Sequence, residues 1–162
     1  MRVQPARAVV GPAGLVLALA MLVAAGAPRV ASADERPGDI IGLWDTGDGA
    51  HVEVYERDGL YHGKFRHFYD EPPADGVDAK NPDPALRGRP LVGADFILNF
   101  AFDGKKWTDG RIYNPENGKQ YKADLEMQDG VLKVRGWLGV RLLGRTVSWS
   151  RLDASAEGAT ER

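Results

Sequence analysis

The segment KQYKADLEMQDGVLKVRGWL, residues 119–138, decides the fold. Asp129-Gly130 sits near its centre, and Asp-Gly suits a two-residue hairpin turn because both turn positions take positive φ. Folding the segment there sets Met127 opposite Leu132, Leu125 opposite Val134, Ala123 opposite Gly136 and Tyr121 opposite Leu138. The other side sets Glu126 against Lys133 and Asp124 against Arg135. One face is then apolar and the other pairs opposite charges, as a half-buried antiparallel ribbon requires. A slip of one residue would turn the charges inward.

The same signal recurs outward from this hairpin. Asp58-Gly59 as a turn sets Val52 opposite Phe65 and Val54 opposite Gly63, with Glu53 against Lys64 and Tyr55 against His62 on the other side. Asp48-Gly49, Asp103-Gly104, Asp109-Gly110 and Asn117-Gly118 supply further turns or bulges. A turn at Asp103-Gly104 would set Phe100 opposite Trp107. Trp107 and Ile112 can both point inward only if one residue bulges out, and Asp109-Gly110 is the place for it. A turn at Gly139-Val140 would point Leu143, Arg145, Val147, Trp149 and Arg151 inward. The expected strands are 40–46, 50–57, 60–68, 94–102, 105–113, 119–128, 131–138 and 141–151. No segment of this region shows sustained helical periodicity. The expected fold is all-β: an eight-stranded antiparallel up-and-down barrel, lipocalin-like, with its edges removed by closure.

One connection is long. Residues 69–91, between strands three and four, are rich in Pro, Asp and Arg rather than Ser, so an ordered loop is expected. The first 33 residues read as a cleaved export signal. Arg2 and Arg7 precede an apolar stretch from Ala13 to Ala25, and Ala31-Ser32-Ala33 is a small-x-small cleavage pattern. The expected domain plan is thus a signal peptide at 1–33, one barrel at 34–152 and a disordered polar tail at 153–162. An exported, periplasmic or secreted location follows.

Composition narrows the function classes. The 162 residues are 43% hydrophobic and 27% charged, which fits neither a disordered chain nor a polytopic membrane protein. Cysteine is absent, excluding disulfides, thiolate metal sites and a thiol nucleophile. Removal of 1–33 takes away three arginines and leaves 18 basic against 23 acidic residues. That balance gives no drive toward nucleic acid or anionic lipid, and no stable membrane insertion is expected after cleavage.

Few residues point to chemistry. His51 and His62 are expected on the outer face and His67 inward, so no metal site is expected, and no cofactor. Asp78, Asp83 and His67 are the only candidates for a hydrolase. Without a nucleophile elbow or a paired-carboxylate signature, a non-enzymatic protein is expected. Arg135 is expected to pair outward with Asp124. Arg145 and Arg151 point inward and need partners. Arg151 is expected to stack on Trp44 at the barrel base, and Arg145 to meet a loop aspartate or an anionic ligand.

Several stretches together resemble the exported bacterial family known as domain of unknown function 2147. They are Ile41-Gly42-Leu43-Trp44, the loop from Asp78 through Asn81, Asp83, Leu86, Arg87 and Arg89 to Gly93, and Gly110-x-Ile112-Tyr113-x-Pro115-x-x-Gly118-Lys119-x-Tyr121. The series closes with Leu132-Lys133-Val134-Arg135-Gly136-Trp137-x-Gly139 and Leu143-Gly144-Arg145-Thr146-x-x-Trp149-x-Arg151. The resemblance implies one exported β-barrel domain and carries no established activity or catalytic residues. More distantly, Gly42-x-Trp44 and Arg151 look like the lipocalin signature, in which a Trp and a late Arg pack at the closed end.

Two functional expectations follow. In the first, the barrel binds a small apolar or amphipathic ligand. Phe65, Phe96, Leu98, Phe100, Tyr121, Leu125, Val134 and Leu143 point inward, and Gly63, Ala123 and Gly136 leave space. Tyr61, Phe65, His67, Phe96, Tyr121 and Arg145 would contact the ligand. In the alternative, a solid barrel meets an envelope protein partner through its long loop, with Asp78, Asn81, Arg87 and Arg89 as the contact surface.

Overall fold

The computed structural model describes residues 35–153; the expected signal peptide and the tail beyond 153 lie outside them. Eight strands follow in chain order: β1 (Gly42–Asp45), β2 (Ala50–Arg57), β3 (Leu60–Phe68), β4 (Asp95–Phe102), β5 (Trp107–Asn114), β6 (Lys119–Gln128), β7 (Val131–Trp137) and β8 (Arg145–Leu152). Each pairs antiparallel with the next, and β1 pairs with β8, so the sheet closes into an up-and-down barrel. No regular α-helix occurs among the described residues, only short 3-10 turns.

The two Asp-Gly hairpins form in the expected register. Asp58 and Gly59 both take positive φ, as do Asp129 and Gly130, and the flanking pairs are Arg57 with Leu60 and Gln128 with Val131. This is the backbone shape that matches strand twist and that Gly at the second position makes accessible. Asp109 bulges at φ +62, which lets Trp107 and Ile112 both point inward.

Four expectations about facing need correction. The β4–β5 connection is a four-residue turn, 103–106, so Phe102 rather than Phe100 sits opposite Trp107. Asp103 holds that turn by accepting the backbone N–H groups of Lys105 and Lys106, each at 2.9 Å. In β4 the register shifts, and Asn99 sits at φ +58; Ile97, not Leu98, then fills the space beside Gly63, with no exposure. In β3 the register shifts opposite His51/Val52, where Arg66 is the extra residue. That bulge turns His67 out beside His51, with ring centroids 5.8 Å apart, and brings Phe68 in against Phe65 at 5.0 Å. Finally, β8 begins at Arg145, and Leu143 lies 82% exposed on the connection before it.

The closed end is a packed core. Trp44, Phe100, Trp107, Leu125 and Leu132 are fully buried there, beneath a 3-10 turn at Pro37–Ile40 that tucks Ile40 inside. Backbone carbonyls of the entering chain satisfy the indoles: Trp44 Nε1 donates to the Ile40 carbonyl at 2.9 Å and Trp107 Nε1 to that of Pro37 at 3.1 Å. Arg151 closes the base. Its guanidinium lies 4.3 Å from the centre of the Trp44 ring. It donates to the carbonyls of Ile41, at 3.0 Å, and Asp39. The side chain is exposed rather than interior, so it caps the core from outside. Arg151→Ala is expected to destabilise the barrel by about 1–3 kcal/mol, through the lost cation–π contact and two orphaned carbonyls. An unchanged midpoint in a urea titration would remove that role.

Candidate ligand-binding site

Strand alternation sends the β1–β2, β3–β4, β5–β6 and β7–β8 connections to the other end. Between them opens a cavity of about 420 Å³. Its walls are Phe65, Phe68, Phe96, Val147 and Trp149, and its rim includes Asp48, Glu71, Glu116, Tyr121 and Arg145. The Phe65 and Phe96 rings stack at 4.0 Å, which fixes one wall as a flat aromatic surface. One small residue leaves room in the cavity wall. A Cβ at Gly136 would meet nothing closer than 3.7 Å, so the space beside it is real. Gly63 offers no such space, since a Cβ there would lie 2.6 Å from Ile97. Ala123 is buried in the core and does not line the cavity.

Four of the six expected ligand contacts line this cavity: Phe65, Phe96, Tyr121 and Arg145. Tyr61 does not. It is buried lower in the barrel, edge-on to Trp107 at 6.1 Å. His67 does not either, because the Arg66 bulge faces it outward. The polar groups at the rim differ in how they are engaged. The Tyr121 hydroxyl accepts from Asn117 Nδ2 at 3.0 Å and keeps its own proton to donate. The Arg145 guanidinium is exposed and has no hydrogen-bond or ion-pair partner among the described residues. Phe68, Ile112, Val147 and Trp149 line the cavity beyond the expected contacts; only the bulge in β3 reveals the first, whereas the other three face inward by the alternation of their strands.

The long loop, 69–94, is ordered by a buried polar cluster. Asp78 is completely buried. One carboxylate oxygen accepts from the Tyr113 hydroxyl on β5. The other accepts from Asn81 Nδ2 at 2.7 Å and from Arg89, whose Nε and Nη2 each lie at 2.9 Å. Burial alone would raise the Asp78 pKa; the donors from Tyr113, Asn81 and Arg89 outweigh it and hold the carboxyl below its ordinary value. Burial, reinforced by the Asp78 charge, pushes the Tyr113 hydroxyl up to about 12. Arg87 Nε donates to the Asn81 carbonyl at 2.9 Å, and Asn81 Oδ1 accepts the Asp83 N–H. Asp78 and Asn81 therefore cannot form an exposed contact surface. With Arg87 and Arg89 they fasten the loop to the barrel wall.

Arg135 also departs from expectation. It stands opposite Asp124 in the ladder, yet it donates to Thr146 Oγ1 at 3.1 Å and to the Arg141 carbonyl at 3.1 Å. Asp124 instead takes Lys106 at 3.1 Å and Arg141. Arg135 so ties the β7–β8 connection to its own hairpin.

Among solved structures, protein HP1028 from the human pathogen Helicobacter pylori, described as belonging to the lipocalin family, superposes with a TM-score of 0.66. The match covers 74% of this chain and 86% of that one at 24% identity, a likeness that shows the lipocalin-type fold. No curated protein matches the chain. The family model described as "Uncharacterized protein conserved in bacteria (DUF2147)" matches residues 42–151, the barrel from β1 into β8, and the chain belongs to that family.

Proposed function

We propose that this protein is an exported, non-enzymatic carrier that holds one small amphipathic ligand in the open half of its barrel. The observation behind this reading is the cavity of about 420 Å³, within the size range of small-molecule sites. Its aromatic walls suit an apolar body. The unpartnered Arg145 guanidinium at the rim suits a carboxylate, phosphate or sulfonate head, and Tyr121 is placed to donate a further hydrogen bond. Burying an apolar group against Phe65, Phe96 and Trp149 contributes about 25 cal/mol per Å² removed from water, so a ligand of modest size could bind without covalent chemistry. A non-enzymatic role is supported by how the candidate hydrolase groups are engaged: Asp78 is saturated with donors inside the loop, and His67 faces away from the cavity.

Native mass spectrometry of the protein purified from its host should show a co-purifying small molecule. Binding of 1-anilinonaphthalene-8-sulfonate, an anionic aromatic probe, tests the two halves of the site. Arg145→Gln is expected to weaken binding by roughly 10- to 100-fold, the loss of one charge-assisted contact. Gly136→Leu should fill the cavity with little backbone strain and abolish binding. A probe that binds the Gly136→Leu protein as tightly as the wild type would show that the cavity is not the site.

A further inference from the structure

The β7–β8 connection is conspicuously apolar for a solvent-facing turn. Leu138 is 52% exposed, Val140 61%, Leu142 84% and Leu143 82%. Isolated exposed leucines are ordinary, but four large apolar side chains within six successive residues form a patch that asks for a partner. The backbone presents them deliberately. Gly139 reverses the chain at φ +71, and a 3-10 turn at Arg141–Leu143 carries Leu142 and Leu143 outward. Arg135 then fixes this turn by holding the carbonyls of Arg141 and Leu142.

Charge supplies a second observation. From Val131 to Leu152 the hairpin carries Lys133, Arg135, Arg141, Arg145 and Arg151 and no acidic residue, in a chain whose formal net charge is −2. Three of these, Arg135, Arg141 and Arg145, stand at the tip end, Arg141 being paired with Asp124, while Lys133 and Arg151 lie toward the closed end. Trp137 lies at the base of the tip with the Arg141 guanidinium 5.3 Å from its ring. Leucines flanked by an indole and guanidinium groups are the side-chain set that settles at the boundary between acyl chains and headgroups. Position is the third observation. The connection leaves the barrel at Gly136 and returns at Arg145, both of which line the cavity.

We propose that the β7–β8 tip docks peripherally on an anionic phospholipid bilayer. Leu142 and Leu143 enter the acyl boundary, Arg145 meets the headgroups, and the cavity mouth is brought to the lipid surface. The charge segregation favours lipid phosphates over a neutral surface. Asp48, Glu71 and Glu116 stand on other parts of the rim, so the barrel approaches on its β7–β8 side rather than squarely. Docking does not depend on the cavity holding a ligand, so it can fail or hold separately from the carrier reading.

The absence of cysteine allows a local test in the whole chain. Leu142→Cys carries a single nitrobenzoxadiazole label at the tip, and Asp58→Cys carries it at the opposite end of the barrel. On vesicles of equal parts phosphatidylglycerol and phosphatidylcholine, the label at 142 should brighten and shift to the blue, while the label at 58 stays unchanged. High salt should weaken the response. Adding Leu143→Asp should weaken it at least about tenfold. No response at 142 on anionic vesicles, or an equal response on phosphatidylcholine alone, overturns the proposal. A protein partner that covers the tip while vesicles leave the label unchanged overturns it too.

Discussion

Asp78→Ala is expected to cost the protein about 3–5 kcal/mol, because it removes one partner of a buried, hydrogen-bonded charge cluster and leaves the others unsatisfied. Tyr113, Asn81 and Arg89 all donate to this one carboxylate. Among the described residues, none of the three side chains donates to any other acceptor. The effect should appear as a lower denaturant midpoint and as faster amide exchange across 76–93, the part of the loop that the cluster fastens. A loss below about 1 kcal/mol would mean that water replaces the carboxylate, and the loop would then be held by its backbone contacts alone.

The same cluster sets two pH limits. The Asp78 pKa is depressed in the folded protein. Its contribution is therefore present above the ordinary carboxylate value and is lost as pH falls through the lowered one. Tyr113 is displaced in the other direction, from 10.0 to about 12. Folding favours its neutral form, so that contribution is present below pH 10 and is lost as pH rises toward 12. Ultraviolet titration of the phenols in Asp78→Ala should bring Tyr113 part of the way back, since burial, the larger cause, remains.

Phe100→Ala should have an effect of similar size, about 3–5 kcal/mol, because it empties the centre of the closed end. Phe100 is fully buried opposite Tyr61 and lies directly over Gly110. A Cβ on Gly110 would come within 2.2 Å of the ring, so the two residues share one volume. Gly110→Ala alone should cost about 1–3 kcal/mol by overpacking. The double variant should cost less than the two singles together, since the new methyl occupies part of the space the ring leaves. Strict additivity in urea denaturation would show that the ring and the glycine do not compete.

The barrel was legible in the sequence wherever two-residue Asp-Gly turns join strands of strict alternation. There, register follows from the turn, and facing follows from register, as in β2–β3 and β6–β7. Legibility failed where an extra residue breaks the period. The displacement in β4 left Leu98 in the place of Ile97, and the one in β3 left His67 in the place of Phe68. Neither bulge has a Gly to announce it, unlike Asp109-Gly110, which was legible. The candidate site was legible in its walls and in Arg145, because those positions sit on the regular parts of their strands. The buried role of the loop residues was not legible: the sequence offers Asp78, Asn81, Arg87 and Arg89 as a contact surface, and their spacing does not show that Tyr113, on a distant strand, completes a buried set with Asp78, Asn81 and Arg89. Overall acidity argues against an anionic lipid partner, and a whole-chain sum does not resolve that the hairpin from Val131 to Leu152 carries basic residues and no acidic one.

The bulge at Arg66 carries a consequence for which changes of length the cavity wall can absorb. The bulging of one surplus residue in β3 determines whether a phenyl ring or an imidazole faces the interior at that level. Deleting that residue would give a regular ladder with the same pairs, Val52 with Phe65 and His51 with His67, so Phe68 would stay inward and His67 outward. The wall would keep its greasy surface; only a strand that retained Arg66 but lost the bulge would put the imidazole in the place of the ring. Insertion and deletion within a strand are usually counted as damage. In this barrel the loss of Arg66 alone would leave the ligand-facing wall unchanged, and a barrel lacking Arg66 with His67 turned inward would refute the idea.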